Sequence, residues 1–272
     1  MGLLFKDKVV FISGSGSGIG KATAIAFAKE GAKVIINGSN EQKVKQAAQE
    51  LLHLNYSAET FVGDIADDRV CEELKEFLQR TYGKLDIFVA NAGISLKDLF
   101  AKTKPEVFRK IVQNNIFSTS SAFFHLYSML QESKGSFVIV NSVAGLQGLP
   151  TSSAYSVSKM ALRAFSQAVG AEIKNSGVHL GTIYFGFIQN DEQKTTYTGE
   201  GQLVKVPKRG MAVLSKEDAA NKILVCCAKR SREMYVSSFT KMMYFLSRLS
   251  PALLNYMMRL NLGRMMRAQK LN

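Results

Sequence analysis

Short blocks of continuously apolar residues alternate along this chain with longer blocks whose apolar positions recur every three or four residues. Residues 8–13 (KVVFIS), 33–37 (KVIIN), 59–63 (ETFVG), 84–93 (KLDIFVANAG), 135–142 (GSFVIVNS) and 178–185 (VHLGTIYF) are of the first kind. Runs rich in Val, Ile and Phe and bounded by Gly, Asn or Ser predict strands buried on both faces, the fourth running on into a turn. The intervening residues 19–30, 40–54, 68–81, 105–131 and 153–174 carry helical periodicity. Strand and helix alternate throughout, which predicts an α/β fold, a Rossmann-like doubly wound parallel sheet with helices on both faces. In such a sheet the ligand loops lie at the carboxyl ends of the strands.

Residues 186–214 break the rhythm. They are polar and carry Gly199, Gly201 and Gly210, so they predict a long excursion or lid. Residues 215–230 open on Ser215 with Glu217 and Asp218 behind it, a capped helix start. The expected organisation is one dinucleotide-binding and catalytic domain over residues 1–235, loop 186–214 included, followed by a helical extension over 236–272.

Composition narrows the function classes. With 272 residues, 46% of them hydrophobic, the chain can bury a substantial core. Cys71, Cys226 and Cys227 form neither a metal-ligand spacing nor a disulfide framework, so no metal is expected and a reducing, cytoplasmic setting is. The N-terminus has no basic stretch followed by a long apolar run, so no signal peptide is expected. The net charge of +13 would attract nucleic acid, anionic lipid or an anionic cofactor. Nucleic acid drops out, for there is no zinc-finger spacing and no aromatic RNA-binding signature.

Two motifs carry chemistry. Between the first strand and first helix lies SGSGSGIG, residues 13–20. Glycine lets a backbone turn tightly and approach a pyrophosphate, and the following helix start presents free amides and a positive dipole end. Gly14, Ser15, Ser17, Gly18, Ile19 and Gly20 are therefore the candidate phosphate cradle; the plain alternative is a flexible turn. The second motif is YSVSK, residues 155–159. Residues four apart share a helix face, so Tyr155 and Lys159 would meet in one pocket. An ammonium beside a phenol favours the phenolate and lowers a pKa that starts near about 10. Such a phenol can give a proton to a carbonyl oxygen or take one from an alcohol. Ser142, at the end of the fifth strand, could hold that oxygen.

With the spacing Gly14-x-x-x-Gly18-x-Gly20 and the Tyr155-x-x-x-Lys159 pair, the chain resembles the short-chain dehydrogenase/reductase family over most of residues 6–235. The resemblance implies hydride transfer between a nicotinamide cofactor and a carbonyl or secondary-alcohol carbon. It implies that Asn91, Ala92 and Gly93 line the cofactor pocket and that Asp64 and Ile65 meet the adenine. It makes Ser142, thirteen residues before Tyr155, the catalytic serine, and Asn115 in VQNNIFS the support of a proton relay, with Asn114 as the adjacent alternative. Gly186 and Ile188 stand where relatives close over the nicotinamide. Here Phe185 replaces the family's Pro and Asn190 its Thr. The helices at 105–131 and 153–174 pair across a two-fold axis in the family, which implies a homodimer or a higher homo-oligomer; Phe117, Phe123, Phe124 and Phe165 supply bulk for that contact.

After the second strand come Gly38, Ser39 and Asn40, with Lys43 one turn further. An acid there would bind a ribose 2′-hydroxyl and repel a 2′-phosphate. None is present, which favours NADP(H) and leaves NAD(H) as the other candidate.

From Met234 to Asn272 there is no acidic residue, six basic ones (Lys241, Arg248, Arg259, Arg264, Arg267, Lys270) and seven of the eleven methionines. Pro251 divides two helical segments, 240–249 and 252–268. Leu253, Leu254, Met257, Met258, Leu262, Met265 and Met266 form a stripe at helical spacing. Such a stripe fits an anionic membrane surface, packing on the domain, or packing on a second subunit. Its methionines could also roof an apolar pocket, so the expected substrate is a small apolar or lipid-like carbonyl or alcohol, met peripherally at a membrane. Two other function classes remain at this stage: an NAD(P)-binding regulator or scaffold with little turnover, and a nucleotide-sugar epimerase or dehydratase.

Overall fold

The computed structural model describes residues 3–189, 194–206 and 214–268. Seven parallel strands form the central sheet: β1 Val9–Ile12, β2 Lys33–Gly38, β3 Ala58–Val62, β4 Ile87–Ala90, β5 Ser136–Ser142, β6 His179–Phe185 and, at the far edge, Glu233–Tyr235. The spatial order runs β3-β2-β1-β4-β5-β6 and then that edge strand, which is β9 in chain order. The helices are α1 Gly18–Lys29, α2 Glu41–His53, α3 Asp68–Tyr82, α4 Pro105–Glu132, α5 Ser153–Glu172, α6 Lys216–Ala228, α7 Ser238–Leu249 and α8 Pro251–Ala268. The doubly wound α/β expectation holds. Each of the six predicted strands is present within a few residues of its expected bounds.

Side chains alternate across a strand, so each strand feeds two cores. Val10, Ile12, Val34 and Ile36 pack with Phe27 of α1, Leu51 of α2 and Ile223 of α6. Val9, Phe11, Phe88 and Phe137 pack with Leu74 of α3, Leu126 of α4 and Leu162 of α5. Phe11, Phe88 and Phe137 stack across three neighbouring strands, with ring centroids 5.1 and 4.7 Å apart. Strands buried this way read in sequence as continuous apolar runs, because neither face meets water.

From β1 the chain winds outward through β2 and β3, then returns to β4 on the other side of β1. The turns after β1 and β4 therefore face each other at the sheet's carboxyl edge, the crevice where such sheets bind ligands.

Two regions depart from expectation. The polar excursion holds a two-stranded antiparallel hairpin, β7 Thr195–Tyr197 with β8 Leu203–Lys205, tied to residues 95–97 through Tyr197. At three residues each, these strands are too short for alternation to show in sequence; Gly210 lies outside the described residues. The expected capped helix after it is present, with Ser215 accepting from the Asp218 amide. The second departure is the C-terminal stripe. Leu254 is fully buried, and with partly buried Met258 it packs against Val143, Leu146 and Leu149, while Leu253 is exposed. Met265 and Met266 lie outside the residues whose side chains are described. No helix among the described residues is long and apolar enough to cross a membrane.

Candidate active site

The turn after β1 is built by close backbone approach. Gly14 and Gly18 both have φ of 60°, a left-handed conformation that glycine adopts without a Cβ penalty. A Cβ on Gly20 would stand 2.5 Å from the Gly14 carbonyl oxygen and 2.6 Å from Asn91 Nδ2. A Cβ on Gly16 would press at 3.2 Å on the backbone of Lys43. The turn thus lies against α2 on one side and the turn after β4 on the other.

Hydrogen bonds fix this arrangement. Asn91 Nδ2 donates to the carbonyls of Ser13 (2.9 Å) and Gly14 (3.1 Å). Ser13 Oγ accepts from the amides of Asn91 (3.0 Å) and Ala92 (2.9 Å). Ser15 Oγ donates to the Ile12 carbonyl at 2.6 Å and accepts from the Asn37 amide at 2.9 Å, so this hydroxyl serves the fold. Asn37 is buried, and its Nδ2 donates to the Phe61 and Gly63 carbonyls. Ser13 and Asn37 escape motif reading. The one signal for Asn37 is a polar residue closing an otherwise apolar strand.

The cradle suits a pyrophosphate. Ser17, the residue before α1, is exposed and makes no side-chain cap, and the first turn has no acid. The amides of that turn are the free donors a phosphate would use. Beyond β2, Ser39 and Lys43 are exposed. Asn40 Oδ1 accepts from the Lys43 amide at 3.0 Å and so caps α2. Asp64 is exposed and accepts from the Ala66 amide at 3.0 Å. The Ile65 side chain is buried in the core, which leaves only its backbone for a ligand.

Tyr155 and Lys159 stand on one face of α5, with the ammonium nitrogen 5.8 Å from the Tyr155 ring centroid. Lys159 is 5% exposed and donates to the Val140 carbonyl at 2.9 Å. Burial pulls its pKa down to about 8, because an ammonium loses hydration there. Gly93 keeps this corner open: a Cβ would lie 3.2 Å from Asn115 Oδ1 and 3.9 Å from Lys159 Nζ.

Of the two candidate asparagines, Asn115 is the buried one. Its Oδ1 accepts from the Ile94 amide at 2.7 Å, and its Nδ2 donates to the Ile94 carbonyl and Ser158 Oγ, both at 2.9 Å. Ser158 Oγ donates in turn to the Tyr155 carbonyl at 2.8 Å. The Asn115 side chain therefore clamps the turn after β4 to the helix carrying Tyr155.

Ser142 ends β5, paired in register with Phe185, and its Oγ accepts from the Ala144 amide at 3.2 Å. The neighbouring Asn141 accepts from the Ser142 amide (2.8 Å) and donates to the Lys159 carbonyl (3.1 Å). A Cβ on Gly145 would meet Asn141 Oδ1 at 2.5 Å and the Lys159 carbonyl oxygen at 2.9 Å. Asn141 and Gly145 thus lock Ser142 to α5, a role that motif reading misses.

On the far side Gly186 abuts the start of α7, where a Cβ would touch Phe239 at 3.4 Å. Phe187 and Phe239 stack at 5.6 Å, both partly exposed. Ile188 is buried and bridges to Leu214; Asn190 lies outside the described residues. Tyr184 stacks on Tyr235, which meets the Tyr244 ring tilted at 35°, and Arg163 of α5 lies 6.0 and 5.7 Å from the Tyr184 and Tyr244 rings.

Comparison with known proteins gives the same picture. The family model described as short chain dehydrogenase matches residues 8–201. A Drosophila melanogaster protein, dehydrogenase/reductase SDR family protein 7-like, is 28% identical over 270 residues, covering 97% of this chain and 83% of its own. An uncharacterized oxidoreductase of Thermotoga maritima is 35% identical over 190 residues, 69% of this chain and 74% of its own. Among solved structures, a metagenomic short-chain oxidoreductase in complex with NADP shares the fold with a TM-score of 0.70 at 17% identity, covering 85% of this chain and 96% of that one. The chain belongs to the short-chain dehydrogenase/reductase family and is an NAD(P)-dependent oxidoreductase.

Proposed function

We propose that this oxidoreductase uses NADP(H) and acts on the carbonyl or secondary-alcohol carbon of an apolar, lipid-like substrate. The observation that carries the reading is that Lys159, one helical turn from Tyr155, is tied through Val140 and Asn141 to the end of β5 that bears Ser142, and lies beside Gly93 of the turn after β4. When bound, the cofactor supplies or accepts the hydride.

In this reading Tyr155 exchanges the proton with the substrate oxygen and Ser142 holds that oxygen. Lys159 holds the ribose and biases the phenol toward ionisation. Asn115 keeps the Tyr155 backbone in position for proton relay. The amides of Ser17, Gly18, Ile19 and Gly20 hold the pyrophosphate, while those of Gly14 and Ser15 donate to Asn37 and shape the turn around it. Asp64 and the Ile65 backbone meet the adenine, Asn91, Ala92 and Gly93 line the pocket, and Gly186 and Ile188 border the nicotinamide. NADP is supported by the absence of an acid after β2, by Ser39 and Lys43 in its place, and by the NADP bound to the metagenomic relative. An apolar substrate is supported by the exposed Phe187–Phe239 stack beside Gly186.

The catalytic domain spans 1–235 and the extension 236–272; among the described residues, Met243, Leu254 and Met258 of the extension pack with Val143, Leu146 and Leu149 just beyond Ser142. A homodimer is supported by Phe117 and Phe124, 48% and 80% exposed on α4 beside partly buried Phe165; Phe123 belongs to the monomer's core. A peripheral place at an anionic membrane is supported by the acid-free extension. The test is consumption of NADPH and NADH with long-chain ketones, ketosteroids, acyl thioesters, quinones and sugars. Faster turnover of the apolar ketones with NADPH is expected; a preference for sugars, or for NADH, would overturn the corresponding half.

A further inference from the structure

Helices α7 and α8 are apolar on two faces. At about 3.6 residues per turn, Thr240, Met243 and Tyr244 fall on one face of α7, and Leu254, Met258 and Leu262 on one face of α8. These meet the domain: Met243 and Leu254 are buried, and the others mentioned are buried or partly so. The opposite faces carry Met242, Phe245 and Leu249 on α7, and Leu253, Tyr256 and Leu260 on α8. All six are exposed, Phe245 by 58%, Leu249 by 82% and Leu260 by 64%. A helix that had only to roof a pocket would carry polar residues there.

The charge beside this outer face is of one sign. Lys241 and Arg248 border the α7 stripe and Arg259 borders the α8 stripe, all three exposed. No acidic residue occurs between Met234 and Asn272. A protein partner could offer either charge, whereas an anionic bilayer offers only the negative one, and long basic side chains lay their stems on lipid while their heads reach phosphate. The outer stripe also leads to the mouth of the site. Phe239, one turn before Met242, stacks on Phe187, the residue after Gly186.

We infer that the outer face of α7–α8 is a lipid-docking surface for an anionic membrane, seated in the bilayer interface with the Phe187–Phe239 pair at its inner end. The docking face is independent of the hydride-transfer chemistry. Delivery of substrate from the bilayer to the mouth rests on the apolar-substrate reading.

The experiment compares the full chain with the triple variant Phe245→Gln, Leu249→Gln, Leu260→Gln. These side chains are exposed, so folding is expected to survive. Co-sedimentation uses vesicles of phosphatidylcholine with and without phosphatidylserine, at low and high salt. The parent is expected to bind the anionic vesicles, to lose at least about tenfold in affinity when salt is raised, and to bind neutral vesicles more weakly. The variant is expected to lose at least about tenfold at low salt. Its melting temperature, and its turnover of a water-soluble ketone without vesicles, should match the parent's. Absence of binding by the parent, or undiminished binding by the variant, overturns the inference. So does a fall in oligomer mass on sedimentation of the variant, which would make the stripe a subunit contact. A parent that binds vesicles yet turns over no ketone keeps the docking face and removes the substrate reading alone.

Discussion

The two sides of the site are held by different physics. On the nucleotide side, the turns after β1 and β4 approach so closely that glycine is required; Ser13 and Asn91 bridge their backbones at 2.9 to 3.1 Å, and Asn37 ties the first of these turns to the end of β3. On the side of the extension, ring contacts do the joining: Tyr184 stacks on Tyr235, Tyr244 leans on Tyr235 at 35°, and Phe187 stacks on Phe239. Three buried side-chain atoms lack a hydrogen-bond partner among the described residues, Ser153 Oγ and Arg163 Nε and Nη2. All three belong to α5, and Arg163 faces the extension. Close backbone packing with satisfied polar groups specifies one geometry, whereas ring stacking tolerates several.

The largest effect is expected at the seam between the two sides. Tyr155→Phe keeps the ring and removes the hydroxyl, so turnover should fall by about 10²–10⁴-fold, the range for a positioned acid or base. NADPH affinity, read by fluorescence titration, should stay within about threefold, since the ring that remains still fills its place. Turnover near the parent's would remove Tyr155 from the chemistry.

Next comes the close approach on the nucleotide side. Gly20→Ala sets a methyl group against the Gly14 carbonyl and the Ser15 Cα, backbone atoms that cannot swing aside. Overpacking of this kind costs about 1–3 kcal/mol, and the displaced turn should lose at least about tenfold in NADPH affinity. Gly170→Ala is the control. No atom lies within 4 Å of its added Cβ inside α5, so Ala should stabilise the helix by about 1 kcal/mol. Thermal melts and titration of both variants read the contrast; similar losses from both would mean the turn is not tightly determined.

A narrower loss, confined to one cofactor and without cost to the fold, is expected from Ser39→Asp, which places a carboxylate where the non-acidic run follows β2. NADPH affinity should drop at least about tenfold and NADH affinity less, because a 2′-phosphate is repelled where a 2′-hydroxyl is not. Equal NADPH constants in parent and variant would show that the ribose lies elsewhere.

The same division decides what could be read from sequence. Glycine spacing revealed the tight turn after β1 because the close contacts at Gly14 and Gly20 leave no other residue type. Runs of Val, Ile and Phe revealed β1, β2, β4, β5 and β6 because both of their faces are buried, whereas β3, at the sheet edge, is only partly covered and shows a shorter run. Asn37 and Asn141 stayed hidden, since a single buried amide has no periodic signature. The seventh strand, Glu233–Tyr235, is too short and too polar to announce itself. In α7 and α8, apolar residues on both faces blur the helical period, so spacing alone could not tell the inward Leu254 from the outward Leu253.

The smallest effect is expected at Arg163, and it tests whether the aromatic side depends on its charge. The guanidinium lies 3.9 Å from Glu233 with both partly buried. Removing one member of a buried ion pair is costly when the other is left without partners. Glu233 would not be: it accepts from the hydroxyls of Tyr184 (3.3 Å) and Tyr235 (2.6 Å) and from Gln167 Nε2 (3.3 Å). Arg163→Met would forfeit ring contacts worth about 0.5–2 kcal/mol. It would also remove two buried donors without acceptors, each a burden of about 1–3 kcal/mol. The thioether is apolar and adaptable enough to fill the place between the Tyr184 and Tyr244 rings. Stability by chemical denaturation should therefore change by less than about 1 kcal/mol in either direction, and the α7–α8 segment should be no more open to protease than in the parent. A loss above about 3 kcal/mol, with early cleavage in the extension, would show that the charge on Arg163 holds the extension in place, and that ring stacking alone does not.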